Sequence, residues 1–266
     1  ISAVFWLPWL VIMFRRGRLP RELWKAALVP TAFNIAGQTL FAWGPSLLDP
    51  GFFSFVFRVQ IVFVMFGAYL LFPEERATLR SPRFWVGIVL VAGGSVGLIA
   101  FKPEGTGHAT FLGIAIPLPA GILFAGYGLS VRYFVSRFSP VISFGVICNY
   151  TAIGAVLLGL TLGQNAGARV FSFDAKQLFI LVLSAFIGIA ISHVAYYAAI
   201  RRLGVAVSIG IIQLQPIFTT VGSMMLFGEK LSGWQWVFGV VGMGGAIIML
   251  SASGAKTSKV VRDEAP

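Results

Sequence analysis

Carboxylates are scarce in this chain: nine Asp and Glu among 266 residues, and none of the nine falls inside an apolar run. That removes the paired acids of general acid–base catalysis and the intramembrane carboxylates that proton-driven carriers often use. Cysteine is scarcer still. Cys148 stands alone in an apolar run, with no partner for a disulfide and no neighbouring ligand set, so it reads as a small buried hydrophobe. Of the two histidines only His193 lies in an apolar segment, and there is no HExxH. All charged residues together make 11% of the chain, against roughly a quarter in a soluble domain.

What fills the chain instead is apolar. Hydrophobic residues make 58% and mean hydropathy is +0.88, the composition of an all-α polytopic membrane protein. The 31 glycines and 25 phenylalanines fit that class, since glycine lets helices approach closely and aromatic rings fill the bundle. Segments long enough to span occur near 24–43, 52–72, 84–101, 111–131, 140–162, 177–199, 206–227 and 234–252. The apolar run 1–14 is short of a span, and Ile1 is not an initiator methionine, so the chain reads as truncated at its N-terminus. A signal peptide fits poorly there, because no basic segment precedes the run and no small-residue cleavage site follows.

The sequence pI near 10.4 is explained by where the cations sit. Alternate loops and the tail hold Arg15, Arg16, Arg18, Arg21, Lys25, Arg76, Arg80, Arg83, Arg132, Arg137, Arg201, Arg202, Lys256, Lys259 and Arg262, which is 15 of the 20 basic residues. By the positive-inside rule those loops and the C-terminus are cytoplasmic, and the charge reflects topology and anionic lipid rather than nucleic acid.

The chain also repeats itself. An offset of 155 lays Gln60 on Gln215, Gly67 on Gly222, Leu71-Phe72 on Leu226-Phe227 and Glu74 on Glu229. Past three extra residues, Gly87 falls on Gly239, Gly93 on Gly245 and Gly94 on Ala246. The span at 111–131 has no counterpart in the first copy. One upstream span would supply it and make five spans per half. An odd number inverts the second half, the arrangement of transporters built from inverted repeats. The expected fold is therefore two inverted five-helix repeats, ten helices with the first missing or truncated here. Their expected bounds are 1–101 and 111–252, followed by a cytoplasmic tail 253–266.

Particular residues then match a family. The run Tyr196 to Gly204, then Gln215-Pro216-Ile217-Phe218, Leu226-Phe227-Gly228-Glu229-Lys230-Leu231 and Gly239 with Gly244-Gly245 resembles the EamA-like branch of the drug/metabolite transporter superfamily. The first copy matches more loosely, through Leu71-Phe72-Pro73-Glu74-Glu75 and Gly87 to Gly94. The resemblance implies a central substrate cavity near mid-membrane and no cofactor. The halves are not chemically equivalent, since Ile61 stands where the second copy has Pro216 and Arg58 where it has Gln213.

The candidate substrate-binding residues are Arg58, Gln60, Gln215, Gln38, Asn34, His193 and Tyr197. Arg58 sits about 9 Å inside its span at 1.5 Å per residue. It either snorkels or binds freed carbonyls, or it is a fixed cation for an anionic substrate. Gln60 and Gln215 are repeat-equivalent; Arg58 and Gln213, each two residues earlier, point to the other side of their helices. The glutamines line the cavity or bond helix to helix. Pro216 removes a backbone bond and can kink its helix. Asn34 with Gln38, and His193 with Tyr197, stand at i, i+4 and share a face. His193 alone titrates near neutral pH inside a span, so it is the candidate if protons are coupled, against a plain interhelical donor. Tyr127, Asn149, Tyr150, Tyr196 and the tryptophans either line a cavity or pack. Glu74 and Glu229, at span-turn junctions, read as ties to a neighbouring helix end. The paired glycines read as close helix contacts, not a nucleotide loop.

The expected activity is secondary transport, export or import, of a small metabolite across a bacterial inner membrane by alternating access. The alternatives are a membrane-embedded enzyme, short of nucleophiles and ligands here, and a channel or non-transporting sensor. The expected partners are a small-molecule substrate, the lipid bilayer and a coupling ion or proton, with no nucleic acid and no metal. A homodimer is one assembly compatible with the chain.

Overall fold

The structure is a computed structural model and describes residues 1–47, 60–100, 117–163, 172–215 and 232–263, together with Phe57, Ala168, Phe218 and Met225; of 44–47, 95, 98–100, 117, 235, 250 and 253–263 only the backbone is described. Every regular element among the described residues is helical. In order they are α1 (Ser2–Arg15), α2 (Arg21–Ala26), α3 (Leu28–Leu47), α4 (Gln60–Leu71), α5 (Arg76–Leu79), α6 (Pro82–Ala100), α7 (Pro117–Ser130), α8 (Pro140–Leu162), α9 (Ala175–Ala185), α10 (Ser192–Leu203), α11 (Val205–Ile212) and α12 (Gly233–Asp263). A π turn, Val131–Val135, extends α7, and another, Phe186–Ile191, joins α9 to α10. The stretches Leu118–Val135, Pro140–Leu162 and Ala175–Leu203 are long and apolar enough to cross a bilayer. Large side chains along α8 lie open, Val156 at 61% and Leu162 at 63%. In water such a surface would aggregate, and in a bilayer it meets acyl chains.

Contacts divide the chain into two compact units, and neither unit is a sequence repeat. The first comprises Ile1–Thr39 and Gly126–Arg202, the second Leu40–Ala125 and Leu203–Pro266. In the first, α1 packs on α8, with Leu10 against Gly145, and the Ser2 hydroxyl donates to the Ala185 carbonyl at 3.0 Å. Arg132 donates to the carbonyls of Ile200 and Arg201 at 3.3 and 3.4 Å, covering acceptors that the end of α10 leaves without helical partners.

In the second unit α6 and α12 form the main contact, and glycine makes it. A Cβ at Gly87 would lie 2.7 Å from the Gly245 carbonyl oxygen, and one at Gly94 2.6 Å from the Phe238 carbonyl oxygen. Low residues of α6 thus meet high residues of α12, so the two cross antiparallel. Val91, Leu214 and Ala246, with Ile211 and Phe238 against them, fill the space beside the crossing. The glycines do not all serve alike: nothing lies within 4 Å of the Cβ positions of Gly93 and Gly244.

The second unit also shows which acidic residue ties a turn to a helix end. It is Glu75, 6% exposed, whose two carboxylate oxygens accept the Val205 and Ala206 N–H groups at 2.9 and 3.0 Å. Those donors open α11, where the helix dipole favours an anion. The preceding Gly204 has φ +87°, and a Cβ there would lie 2.6 Å from the Glu75 carboxylate carbon, so both the backbone and the space demand glycine. Glu74, the residue that aligns with Glu229, is exposed. Nearby, Arg76 donates to the Tyr69 and Leu70 carbonyls at 2.8 and 3.3 Å, and Arg80 to the Tyr69 hydroxyl at 3.0 Å.

The last helix runs past the apolar segment through the basic tail to Asp263, where no proline intervenes to stop it. α11 ends at Ile212, the residue whose carbonyl a helical Pro216 would strike. Arg58, Pro216 and the turn at Phe227-Gly228-Glu229-Lys230 lie outside the described residues.

Gly87→Val and Gly94→Val are expected to lower stability by about 2 kcal/mol or more, and Gly93→Val to change it little, as read by thermal unfolding of the purified protein. Equal effects at all three positions would refute the close crossing. Glu75→Ala should cost about 2 kcal/mol, with Glu75→Gln intermediate; an unchanged melting temperature in the alanine variant would show that these two bonds contribute nothing.

Candidate functional site

Three polar candidates of the first unit, Asn34, His193 and Tyr197, meet one face of α8. Phe144, Cys148 and Thr151 stand at i, i+4 and i+7 there, so they line one side of the helix. At the inner end His193 stacks on Phe144, ring centroids 5.1 Å apart and planes 25° apart. Tyr197, one turn beyond His193, meets the same ring edge-on at 5.6 Å. Trp6 of α1 completes that wall, edge-on to Phe144 at 6.1 Å. At the outer end Asn34 of α3 donates from Nδ2 to the Thr151 hydroxyl at 3.0 Å.

Tyr127 and Tyr197 are both buried, at 2% and 3% exposure, and their hydroxyls lie 2.6 Å apart. One donates to the other, which keeps both phenols satisfied away from water. Beside Tyr197 a void of about 10 Å³ is lined by Ser136, Ser143, Ile200 and Arg201 among others. That is room for one water molecule.

The π turn at Phe186–Ile191 is what gives α10 its facing. A π turn holds one residue more than the α-helical path, so the residues that follow are rotated by about 100° from the register that α9 alone would set. The faces read from an uninterrupted 3.6 period therefore group His193 with Tyr197 correctly and say nothing of which neighbour they meet. Gln38 is half-buried on the same helix as Asn34.

The second unit holds the glutamines. Gln60, the first residue of α4, is 7% exposed, and a Cβ at Gly121 would lie 3.4 Å from its backbone nitrogen. Phe41, Phe57 and Phe124 pack mutually edge-on, with centroids 5.2 to 6.0 Å apart. Gln215 is exposed, whereas Gln213 is buried at 3% and reaches the Ile209 carbonyl from Nε2 at 3.5 Å. The repeat-equivalent pair Gln60 and Gln215 thus differs in exposure. Of the seven candidates, the structure joins His193 and Tyr197 to one cluster, ties Asn34 to the same helix face, and leaves Arg58 outside the described residues.

Sequence reasoning passed over Phe144 and Thr151, and named Trp6 only together with the other tryptophans. The i, i+4, i+7 spacing on α8 was available as a signal, but that helix is apolar all round and no face stands out. Among the described residues, no group of three His, Cys, Asp or Glu lies together as a metal site would need.

The sequence profile of the EamA-like transporter family matches residues 111–251, just over half of the chain. The chain belongs to that family. It is a multi-pass membrane protein of a transporter family, as its long apolar helices also require. An uncharacterized transporter of Methanothermobacter thermautotrophicus is 24% identical over 74% of this chain and 55% of its own length. A putative sugar uptake protein of Lactiplantibacillus plantarum is 26% identical over 84% of this chain and 76% of its own. This chain therefore spans about half the length of the archaeal relative. One solved crystal structure superposes with a TM-score of 0.71, covering 96% of this chain and 85% of its own at 16% identity, which shows a shared fold.

Tyr127→Phe and Tyr197→Phe are each expected to lower stability by about 1 kcal/mol, and the double variant to be no worse than either single one. Strictly additive losses in thermal unfolding would mean that the two hydroxyls do not interact.

Proposed function

We propose that this chain is a secondary transporter that carries a small polar or amphipathic metabolite across a bacterial inner membrane by alternating access between two inverted halves. The observation that supports this most is the antiparallel crossing of α6 and α12. These helices are equivalents in the sequence repeat, and equivalents that cross antiparallel are what a two-fold axis in the membrane plane demands. The halves, 1–101 and 111–252, then carry the two parts of the cycle, and the basic loops favour a cytoplasmic C-terminus.

The candidate substrate contacts of the first unit are Asn34, Gln38, His193 and Tyr197; those of the second unit, taken by itself, are Gln60, Gln215 and Arg58. Transport needs no cofactor. The Lactiplantibacillus relative is named for sugar uptake, so hydroxyl-rich compounds belong among the first substrates to try.

Counterflow into proteoliposomes tests this directly. At least one small polar metabolite is expected to exchange into vesicles holding the protein and none into empty lipid; steady single-channel conductance in place of counterflow would reject a carrier. His193→Gln should slow the initial rate roughly tenfold, losing about 1.4 kcal/mol of transition-state stabilisation. A variant that keeps both its rate and its response to a pH gradient removes His193 from substrate and proton roles together. Unchanged transport by Arg58→Gln would assign that arginine to structure.

A further inference from the structure

Three buried polar atoms of the first unit have no hydrogen-bond partner: the Trp6 indole Nε1, the Thr31 hydroxyl and the Asn34 side-chain carbonyl oxygen. Thr31 and Asn34 are 6% and 5% exposed. Groups so deeply buried are ordinarily paired, because an unmade bond leaves the full cost of desolvation uncompensated. Three together call for something that completes them.

They also share a depth in the unit. Asn34 bonds Thr151, and a Cβ at Gly154 would strike the side chain of Ile35, so α3 and α8 ascend together. Thr31, one turn below Asn34, lies level with Cys148. Helix α1 packs on the same helix: Leu10 lies at Gly145, and Trp6 meets the Phe144 ring edge-on. His193 stacks on that same Phe144 ring. The three unpartnered atoms and the imidazole therefore fall between the levels of Phe144 and Thr151, a layer about 10 Å deep at 1.5 Å per residue.

Among the described residues, the layer carries no fixed charge. Among the described residues, the polar side chains buried in this unit are Ser2, Thr31, Asn34, Ser130 and Ser143, with the two phenols occupied by each other. An ion entering it would give up hydration and meet no counter-charge. An uncharged ligand meets one indole donor, one hydroxyl that both donates and accepts, and one amide carbonyl that accepts, beside the rings of Trp6 and Phe144.

We propose that the first unit holds a substrate subsite for uncharged hydroxyl- or carboxamide-bearing compounds, bound by Trp6, Thr31 and Asn34 between α1, α3 and α8. The subsite rests on the transport reading above for its purpose and on the unpaired groups for its existence. The subsite itself selects against carboxylates and amines.

Thermal shift of the purified full chain tests it, with mannitol, glucose, nicotinamide, succinate and putrescine at millimolar concentration as probes. At least one of the three neutral probes is expected to stabilise the protein. Thr31→Val, which keeps the shape of the side chain, and Asn34→Leu should each weaken binding about tenfold, while the unliganded Thr31→Val protein melts no lower than the parent does. Stabilisation by succinate or putrescine alone, no response to any neutral probe, or neutral-probe binding unchanged in both variants would each overturn the subsite. Counterflow of the probe that binds separates the two ideas: binding without counterflow removes the transport reading and leaves the subsite standing.

Discussion

Two backbones in the second unit come within contact of each other because neither has a side chain in the way. Where α6 crosses α12, Gly87 and Gly94 meet the carbonyls of Gly245 and Phe238. In lipid no hydrophobic effect draws one apolar helix to another, so association depends on close van der Waals fit, and glycine is what permits it. Much of that unit follows from the crossing. Ile211 and Leu214 pack against Val91 and Ala246 beside it, and the Gly210 Cβ position already meets Met249. The start of α11 is in turn pinned by Glu75, so the helix beside the glycine crossing is held at its N-terminus by a carboxylate.

The first unit depends on aromatic packing instead. Phe144 is the common neighbour of Trp6, His193 and Tyr197, and the edge-on and stacked contacts orient polar groups that have no charge to orient them. Two ways of holding helices together thus serve two ends. A glycine crossing fixes backbones tightly and leaves no space for a ligand; rings around a polar layer leave groups unpaired. The second arrangement is the one that suits binding.

The sequence made the architecture legible because membrane spans and repeats are long signals. Runs of about twenty apolar residues, basic loops in alternation and a 155-residue offset survive any local detail. Glycine pairing was legible in kind, though Gly93 and Gly244 turn to open space while Gly87, Gly94 and Gly245 carry the contact. Glu75 was missed because alignment with Glu229 favoured its neighbour, and the choice between adjacent residues is made by the 3₁₀ turn Pro73–Glu75, which faces Glu75 inward. For the candidate residues, period alone gives the shared face of His193 and Tyr197. It does not give their partners, since periodicity gives the side of a helix and never the helix across from it, and the π turn before α10 resets even the side.

The clasp on Tyr69 has a consequence for how this protein meets membranes of different thickness. Its ring lies 5.4 and 5.8 Å from the guanidinium carbons of Arg76 and Arg80, and Arg76 also holds the last carbonyls of α4. An aromatic ring flanked by two cations is matched to the headgroup plane, amphipathic body below and phosphate partners above. The C-terminal end of α4 is therefore moored at a set height. In a thicker or thinner bilayer that end stays with the phosphates, and the mismatch passes to the opposite leaflet or to the tilt of the helix.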